Sequence, residues 1–574
     1  TALISAINAI TLKPTQCALW MRPAVPPAQR NAFYRAFNAV FDRIERWYGA
    51  LIGRMVARSG VMVAIALALV ALGGYGMSRV PTGFLPFEDQ GYVLAVVQLP
   101  DGASLERTQR VLDRIAPIGS KVPAVDKVVG VAGVSPLDNS ASLANAGVAY
   151  VVLKDWSERG AGQDLRAVLT ELNRAFAAIP DARINVLPPP PIQGIGNAAG
   201  FSLVLEQRDG SFDFGKLQGV TDAVIAKAAT QSGLQRVSSS FRSDMPQLSV
   251  EVDRTKAEAL HVSVDQVFSA LAAYLGSSYV DQFNKFGRTF QIYVQADEAY
   301  RLTPADIDRL TVRNQQGGMV PLGTLVRLVP AVGPSLISLY NLYPAATVIG
   351  LPASGFSSGQ AMDLMDQIAA ETLPPGSGDE WTALSYQEKV AGSQIYWAFG
   401  LALLLVYLAL AAQYGSWYSP LSVLLAVPLS LLGPAAVLTG LGIDSNLYVQ
   451  IGLILLIALS AKNAILIVEM ARDLHVRDGR PLLEAAVEAA RLRLRPILMT
   501  SFAFILGVAP LVVATGAGAS ARRSIGITVF TGMLASTCLA VLFVPAFFVV
   551  VQGFEERLQA RKARRRPLPG TTAP

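Results

Sequence analysis

The sequence predicts a polytopic α-helical membrane protein that carries a large α+β domain outside the membrane. Three observations carry that prediction. The chain has 574 residues, of which 52% are hydrophobic and 16% charged. With a mean hydropathy of +0.40, it is too apolar for a soluble enzyme and too charged to lie wholly within a bilayer. Apolar runs long enough to cross a membrane gather in two places, at 61–80 and across 395–551, and none occurs between residue 84 and about 393.

Residues 1–20 open with TALISAINAITL already under way and read as the end of a transmembrane helix whose start is missing. A longer chain is expected, with this one as its C-terminal part. Residues 21–60 are basic and amphipathic. Arg22, Arg30, Arg35, Arg43, Arg46, Arg54 and Arg58 outnumber Asp42 and Glu45, while Phe33, Phe37, Val40, Phe41, Ile44, Trp47 and Tyr48 recur at helical spacing. That pattern fits a helix on the cytoplasmic membrane surface. Residues 61–80 form the next span, which Pro81 and the turn-rich PTGFLPFEDQG bring to an end. The domain that follows is then extracytoplasmic.

That domain starts with a legible order. Tyr92–Leu99 reads as a strand, Ser104–Ile118 as an amphipathic helix, and Val125–Val134 and Val148–Leu153 as strands. Leu165–Ile179 reads as a helix and Arg183–Leu187 as a strand. The order βαββαβ is the split ferredoxin-like unit. A second unit begins at Phe201–Glu206, with a helix near Phe214–Gln231 and strands near Leu234–Ser238 and Gln247–Val252. Its second helix is expected at Gly359–Glu371, so residues 254–335 form an insertion holding a helix, Ser263–Leu275, and a hairpin, Tyr279–Gln295. Four prolines at 188–191 make a stiff link between the units, and QGIGNAAG after them suits either a hinge or an ordinary linker. Gly133–Gly147 is small and polar and is expected to be a long loop.

From 395 the membrane resumes with Ile395–Ala412, Leu421–Leu441, Leu447–Met470, Ile497–Thr515 and Ile525–Val551. A basic cytoplasmic segment, 472–495, and a basic tail, 552–574, fall on the same side as 21–60. Arg522 and Arg523 fall on the other side.

The span Leu447–Met470 holds the most informative residue. No charge occurs from Ser445 to Ala461; Lys462 follows, beside Ser460 and Asn463. A cation within an apolar span is costly, normally faces the bundle interior with a partner, and marks an ion path. No other carboxylate lies deep in an apolar span of this chain, and Glu469 is near a helix end. Two readings stay open: Lys462 snorkels to the interface, or its partner lies in a part of the protein outside this chain.

Enzymatic chemistry finds no footing. The two cysteines, Cys17 and Cys538, sit in apolar stretches, and the two histidines, His261 and His475, in unrelated contexts. No nucleophile–base pair or metal cluster is legible, and GAGASA lacks the lysine and strand–helix context of a phosphate loop.

Several uncommon strings in one order carry a resemblance: FLPFEDQG (84–91), VVLKDW (151–156), SYQE (385–388), LSAKNAILIVE (459–469), RLRPILMTS (493–501), LVVATGAGA (511–519) and FVPAFFVVV (543–551). The chain resembles the C-terminal half of a resistance-nodulation-division (RND) efflux pump of the hydrophobe/amphiphile branch. The resemblance implies a proton-driven homotrimer in the bacterial inner membrane, with no cofactor besides the proton gradient. It implies a periplasmic adaptor protein, an outer-membrane channel and small amphiphilic substrates as partners, contact with membrane lipid, and no nucleic acid. Residues 84–195 would be one porter subdomain, 196–253 with 336–390 a second, and 254–335 a docking subdomain.

The resemblance places the family's relay lysine on Lys462, a supporting arginine on Arg493 and a threonine on Thr500. The two relay aspartates have no counterpart here. The substrate cleft falls on Val129, Val134, Pro136, Tyr150, Asn185 and Leu187. Tyr150 keeps an aromatic; most of the others replace aromatics of well-known members. A cleft with little stacking area is expected to favour smaller or more polar substrates. Two rivals are a heavy-metal exporter and a non-transporting membrane scaffold or sensor. The first wants methionine or cysteine ligands along a path, and Met362 and Met365, three apart on a helix, read as core packing instead. The second would not need Lys462.

Overall fold

The computed structural model describes residues 2–21, 31–196 and 199–565. Arg22 and Arg30, residues 197–198 of the glycine-rich link and residues 566–574 of the basic tail lie outside the described residues. The chain forms two compact units, Thr1–Pro86 with Val390–Pro574, and Phe87–Lys389.

The first unit opens with two short helices, α1 (Ala2–Ile10) and α2 (Leu12–Trp20), where one helix end was expected. α3 (Ala32–Ala57) is amphipathic as its spacing demands: Tyr48, Ile52 and Val56, four apart, are buried. Tyr48 Oη donates to the Val541 carbonyl at 2.7 Å, and Arg491 pairs with Glu45 at 2.9 Å. α4 (Ser59–Arg79) is the first span.

In the second unit, β1 (Tyr92–Gln98), α5 (Leu105–Gly119), β2 (Val125–Ser135), β3 (Ala141–Leu153), α6 (Leu165–Phe176) and β4 (Arg183–Leu187) follow in order. Their strands form one antiparallel sheet, β2-β3-β1-β4. Ser104 and Asp164 cap the two helices by accepting from the N–H groups of Arg107 and Ala167. Alternation decides which face is covered. Val93, Ala95, Val97, Val151 and Val186 pack against Val111, Ile115, Leu172 and Phe176 of the helices. The expected loop Gly133–Gly147 is corrected: β2 and β3 run through it as a hairpin, with only Pro136–Ser140 forming the tip. Its small residues fit because Gly147 abuts Leu112 and Thr108, where a Cβ would lie within 3.2 Å of each.

The next elements are β5 (Phe201–Gln207), α7 (Phe214–Ala228), β6 (Leu234–Ser239) and β7 (Met245–Val252). After an excursion, β13 (Ser338–Tyr340), β14 (Tyr343–Pro352), α12 (Ser358–Thr372) and β15 (Ser377–Trp381) complete a sheet of order β13-β14-β5-β15, with β6 also on β14. β7, expected inside this sheet, is corrected. It pairs from Met245 to Val252 with β12 (Val326–Gly333) as a separate ribbon leading into the insertion. Alternation alone cannot name a strand's partner. The insertion holds α8 (Arg254–Ala259), α9 (Val264–Leu271), β8 (Ser278–Lys285), β9 (Arg288–Val294), α10 (Pro304–Ile307), β10 (Thr311–Arg313), β11 (Met319–Pro321) and α11 (Leu322–Leu325). Val262, Val267, Leu271, Val312 and Leu322 form its core. The β8–β9 hairpin is exposed along its length.

The remaining helices are α13 (Ala383–Tyr414), α14 (Ser419–Leu424), α15 (Leu432–Leu441), α16 (Leu447–Val476), α17 (Leu482–Val512) and α18 (Ala519–Arg565). Among the described residues, six helical stretches are long and apolar enough to cross a membrane, counting Ser419–Leu441 as one. That stretch is interrupted by a 3₁₀ turn at Pro428–Leu431, because Pro428 supplies no N–H to an α-helical ladder. The basic segment 472–495 is not a separate surface piece. α16 carries its start and α17 its end, with Pro496 inside α17.

Candidate functional site

α16 buries one face and leaves the other open. Leu453, Leu456, Ile457, Ser460, Ala461, Asn463, Ala464, Ile467 and Val468 are buried. Ile451, Leu455, Ala458, Lys462 and Glu469 are exposed. Their spacing of four, three, four and seven draws one straight stripe along the helix. Lys462 therefore lies on the open face of the helix, an arrangement that both readings of it allow. Among the described residues it has no hydrogen bond or ion pair.

The two residues grouped with it lie on α17. Thr500 Oγ1 donates to the Ile497 carbonyl at 3.1 Å, within its own helix. Arg493 is half-buried, and its Nε is sealed from solvent without an acceptor among the described residues. Neither is hydrogen-bonded to Lys462. What joins the helices here is Asn463 Nδ2, which donates to Ser501 Oγ at 3.3 Å. Both residues are buried.

In the second unit, four of the six cleft residues share one sheet face. Val129 lies opposite Tyr150, Tyr150 opposite Leu94, and Leu94 opposite Leu187, a row across all four strands. Asn185 is in the next row, with Val96, Val148 and Val131. Cross-strand partners project to the same side, and this is the side away from α5 and α6. Val129 is 50% exposed and Tyr150 39%, with Tyr92 beside Tyr150 at 6.4 Å between ring centres. Leu187 is instead buried with Val96 and Leu351. Val134 and Pro136 lie beyond a register shift, at the hairpin tip.

Residues that the sequence did not single out bridge the two sheets. Asp138, at the hairpin tip, accepts from Ser135 Oγ at 2.6 Å and from Ser240 Oγ at 2.5 Å. Arg236 Nη1 donates to the Val186 carbonyl at 2.6 Å, between Asn185 and Leu187. Burial lowers the Arg236 guanidinium's pKa from its ordinary value. A narrow crevice between the hairpin tip and the second sheet is lined by Asp138, Leu143, Ser240, Phe241 and Arg242. Met362 and Met365 are buried in the second sheet's core. Among the described residues, no group of three or more His, Cys, Asp or Glu could hold a metal ion.

These features define a multi-pass membrane protein with a lysine-bearing span and a two-sheet aqueous unit. Comparison with known proteins gives its family. The sequence profile of the AcrB/AcrD/AcrF family matches residues 1–552, and the chain belongs to that family. It is 39% identical over 552 residues to the toluene efflux pump membrane transporter TtgB of Pseudomonas putida (strain DOT-T1E), covering 96% of this chain and 52% of that protein. It is 38% identical over 554 residues to the multidrug export protein AcrF of Escherichia coli (strain K12), covering 96% of this chain and 53% of that protein. The multidrug resistance protein MdtF of Escherichia coli O157:H7 is 37% identical over 553 residues, again 96% of this chain and 53% of the relative. The chain thus spans about half the length of the curated relatives it matches. It is a multi-pass protein of the bacterial inner membrane, from a family of RND efflux transporters.

Proposed function

We propose that this chain supplies the C-terminal half of a proton-driven exporter of drugs and other amphiphiles. The observation that carries this reading is the open stripe on α16 with Lys462 at its centre and, among the described residues, no acid paired with it. A cation at the middle of a span costs about 2.5–3.5 kcal/mol, so a second surface has to cover the stripe and bring carboxylates. Supplied from the other half, they would hold Lys462 while ionised and release it when protonated, which ties proton passage to helix movement. Arg493 would support the relay through its unpaired Nε, and Thr500 from the neighbouring turn.

Export would draw on the aqueous unit. Its two sheets would be ferredoxin-like porter subdomains, and the face holding Val129, Tyr150, Asn185 and Leu187 would be one wall of the substrate cleft, with Val134 and Pro136 at its tip. The inserted subdomain would dock an outer-membrane channel, with an adaptor protein in the periplasm and three copies in the assembly.

The test is complementation in a pump-deficient strain. Expressed alone, the chain leaves dye accumulation unchanged. Joined to an N-terminal half whose spans carry a carboxylate pair, it lowers accumulation. Restoration of export by the chain alone would contradict the assignment of Lys462.

A further inference from the structure

β6 slips register against β14 within the second sheet. Gln235 lies opposite Leu351 and Ser238 opposite Ile349, so Arg236 and Val237 face Gly350 alone. This is a bulge, and Arg236 takes a left-handed φ of 55° there. An arginine held in that region is strained, and such strain gathers where a side chain has to be aimed. Here the guanidinium reaches the Val186 carbonyl on edge strand β4.

That single bond uses one of its three nitrogens. The other two are unpaired among the described residues and are not sealed from solvent. Arg242, six residues on, lines the crevice beside Asp138 and, among the described residues, donates only to the Ser239 and Phe241 carbonyls, at 3.3 and 2.7 Å. Neither arginine forms an ion pair among the described residues. The crevice carboxylate, Asp138, is taken by Ser135 and Ser240. The seam between the sheets thus carries two guanidiniums without an ion-pair partner among the described residues: Arg242 in the crevice, and Arg236 at the Val186 carbonyl, beside Leu187, which is buried with apolar Val96 and Leu351.

We infer that Arg236 and Arg242 make this cleft select amphiphiles that carry an acid group over those that carry a cation. The inference rests on the export reading above and adds a substrate class to it. A half-buried cation without a counter-ion is penalised by lost hydration, and an arriving anion offsets that penalty while a cation adds to it. The planar guanidinium fork suits carboxylate, sulfonate or sulfate oxygens. A purely structural role is the alternative, in which Arg236 only closes the open edge of β4. The two differ in one respect: a neutral hydrogen-bond donor can satisfy Val186, but it cannot attract charge.

The experiment compares dodecyl sulfate with dodecyltrimethylammonium, which share a chain length and differ in charge. Tolerance is measured in cells expressing the transporter from its native locus, in a deletion strain, and in Arg236→Gln, Arg236→Lys and Arg236→Gln/Arg242→Gln variants, with membrane levels checked by immunoblot. The expected result is that the wild type protects more against dodecyl sulfate. The double variant, at unchanged membrane level, loses about tenfold of that preference, in line with a charge-assisted hydrogen bond, and Arg236→Lys retains it. Equal loss of both protections in the Gln and Lys variants, or no change in the ratio, overturns the inference and leaves export standing. Identical tolerance of wild-type and deletion strains to both detergents overturns the export reading, and this inference with it.

Discussion

Asn463 and Ser501 tie α16 to α17 by a 3.3 Å hydrogen bond, one residue past Lys462 on one helix and one past Thr500 on the other. Both side chains are buried, so the bond fixes how the two helices turn toward each other and thereby which face of α16 stays open. Asn463→Ala and Ser501→Ala should each destabilise the protein by about 1 kcal/mol. In a double-mutant cycle read by unfolding in detergent, their coupling should be about 0.6 kcal/mol. Additive losses would mean that the helices are held by packing alone.

The contact of α15 with α18 depends on a missing side chain. A Cβ on Gly433 would come within 2.1 Å of the Thr531 carbonyl oxygen, which is backbone and cannot rotate away. Gly433→Ala should cost about 1–3 kcal/mol through forced separation of the helices. Gly74→Ala is the control: nothing lies within 4 Å of its position, and in a helix alanine should be neutral or stabilising by up to about 1 kcal/mol. Thermal unfolding of the two purified variants decides the matter.

In the aqueous unit, burial, and after it the nearby charge of Asp366, hold the Asp379 carboxyl above its ordinary range. A folded-state value above the unfolded one, about 3.9, means that the folded protein holds this proton more tightly. The contribution to stability is then present in acid and lost as pH rises through the raised value. Asp379→Asn should raise Tm at neutral pH, with the gain shrinking as pH falls toward about 4. An equal gain at both pH values would remove titration of Asp379 as the cause.

The open sheet face gives a test of substrate range. Val129 lies opposite Tyr150 and is half exposed, so a larger side chain fits there without disturbing the core. Val129→Phe should leave Tm unchanged and increase export of planar dyes several-fold, through stacking area worth about 1 kcal/mol. Wild-type export of several large aromatic dyes at high level would contradict the idea that this face offers too little aromatic surface beyond Tyr92 and Tyr150.

Much of this architecture is legible where a pattern is local. Alternating Val93, Ala95 and Val97 mark β1 within a residue of its end, and Ser104 and Asp164 announce the helices they cap. Lys462 stands out because a charge in an apolar run needs no structure to be noticed. What is not legible depends on distant partners. The small polar residues of 133–147 look like a loop, yet they suit a hairpin crowded by Leu112. Gln247–Val252 alternates like any strand, and only pairing with β12 reveals its subdomain. Pro428 was visible throughout, but its turn inside Ser419–Leu441 requires the helix to be seen. Arg236 has no sequence signature, since its role follows from a bulge and a carbonyl fifty residues away.

The most direct test of the proposed function is proton-coupled export by Lys462→Ala in the complete transporter, followed as dye efflux from energised, pump-deficient cells. The variant should reach the membrane and assemble at wild-type level, because Lys462 is exposed and has no hydrogen bond or ion pair among the described residues, yet accumulate dye as fully as cells without the pump. Export at the wild-type rate by Lys462→Ala would show that the lysine only snorkels and that the proton path lies elsewhere.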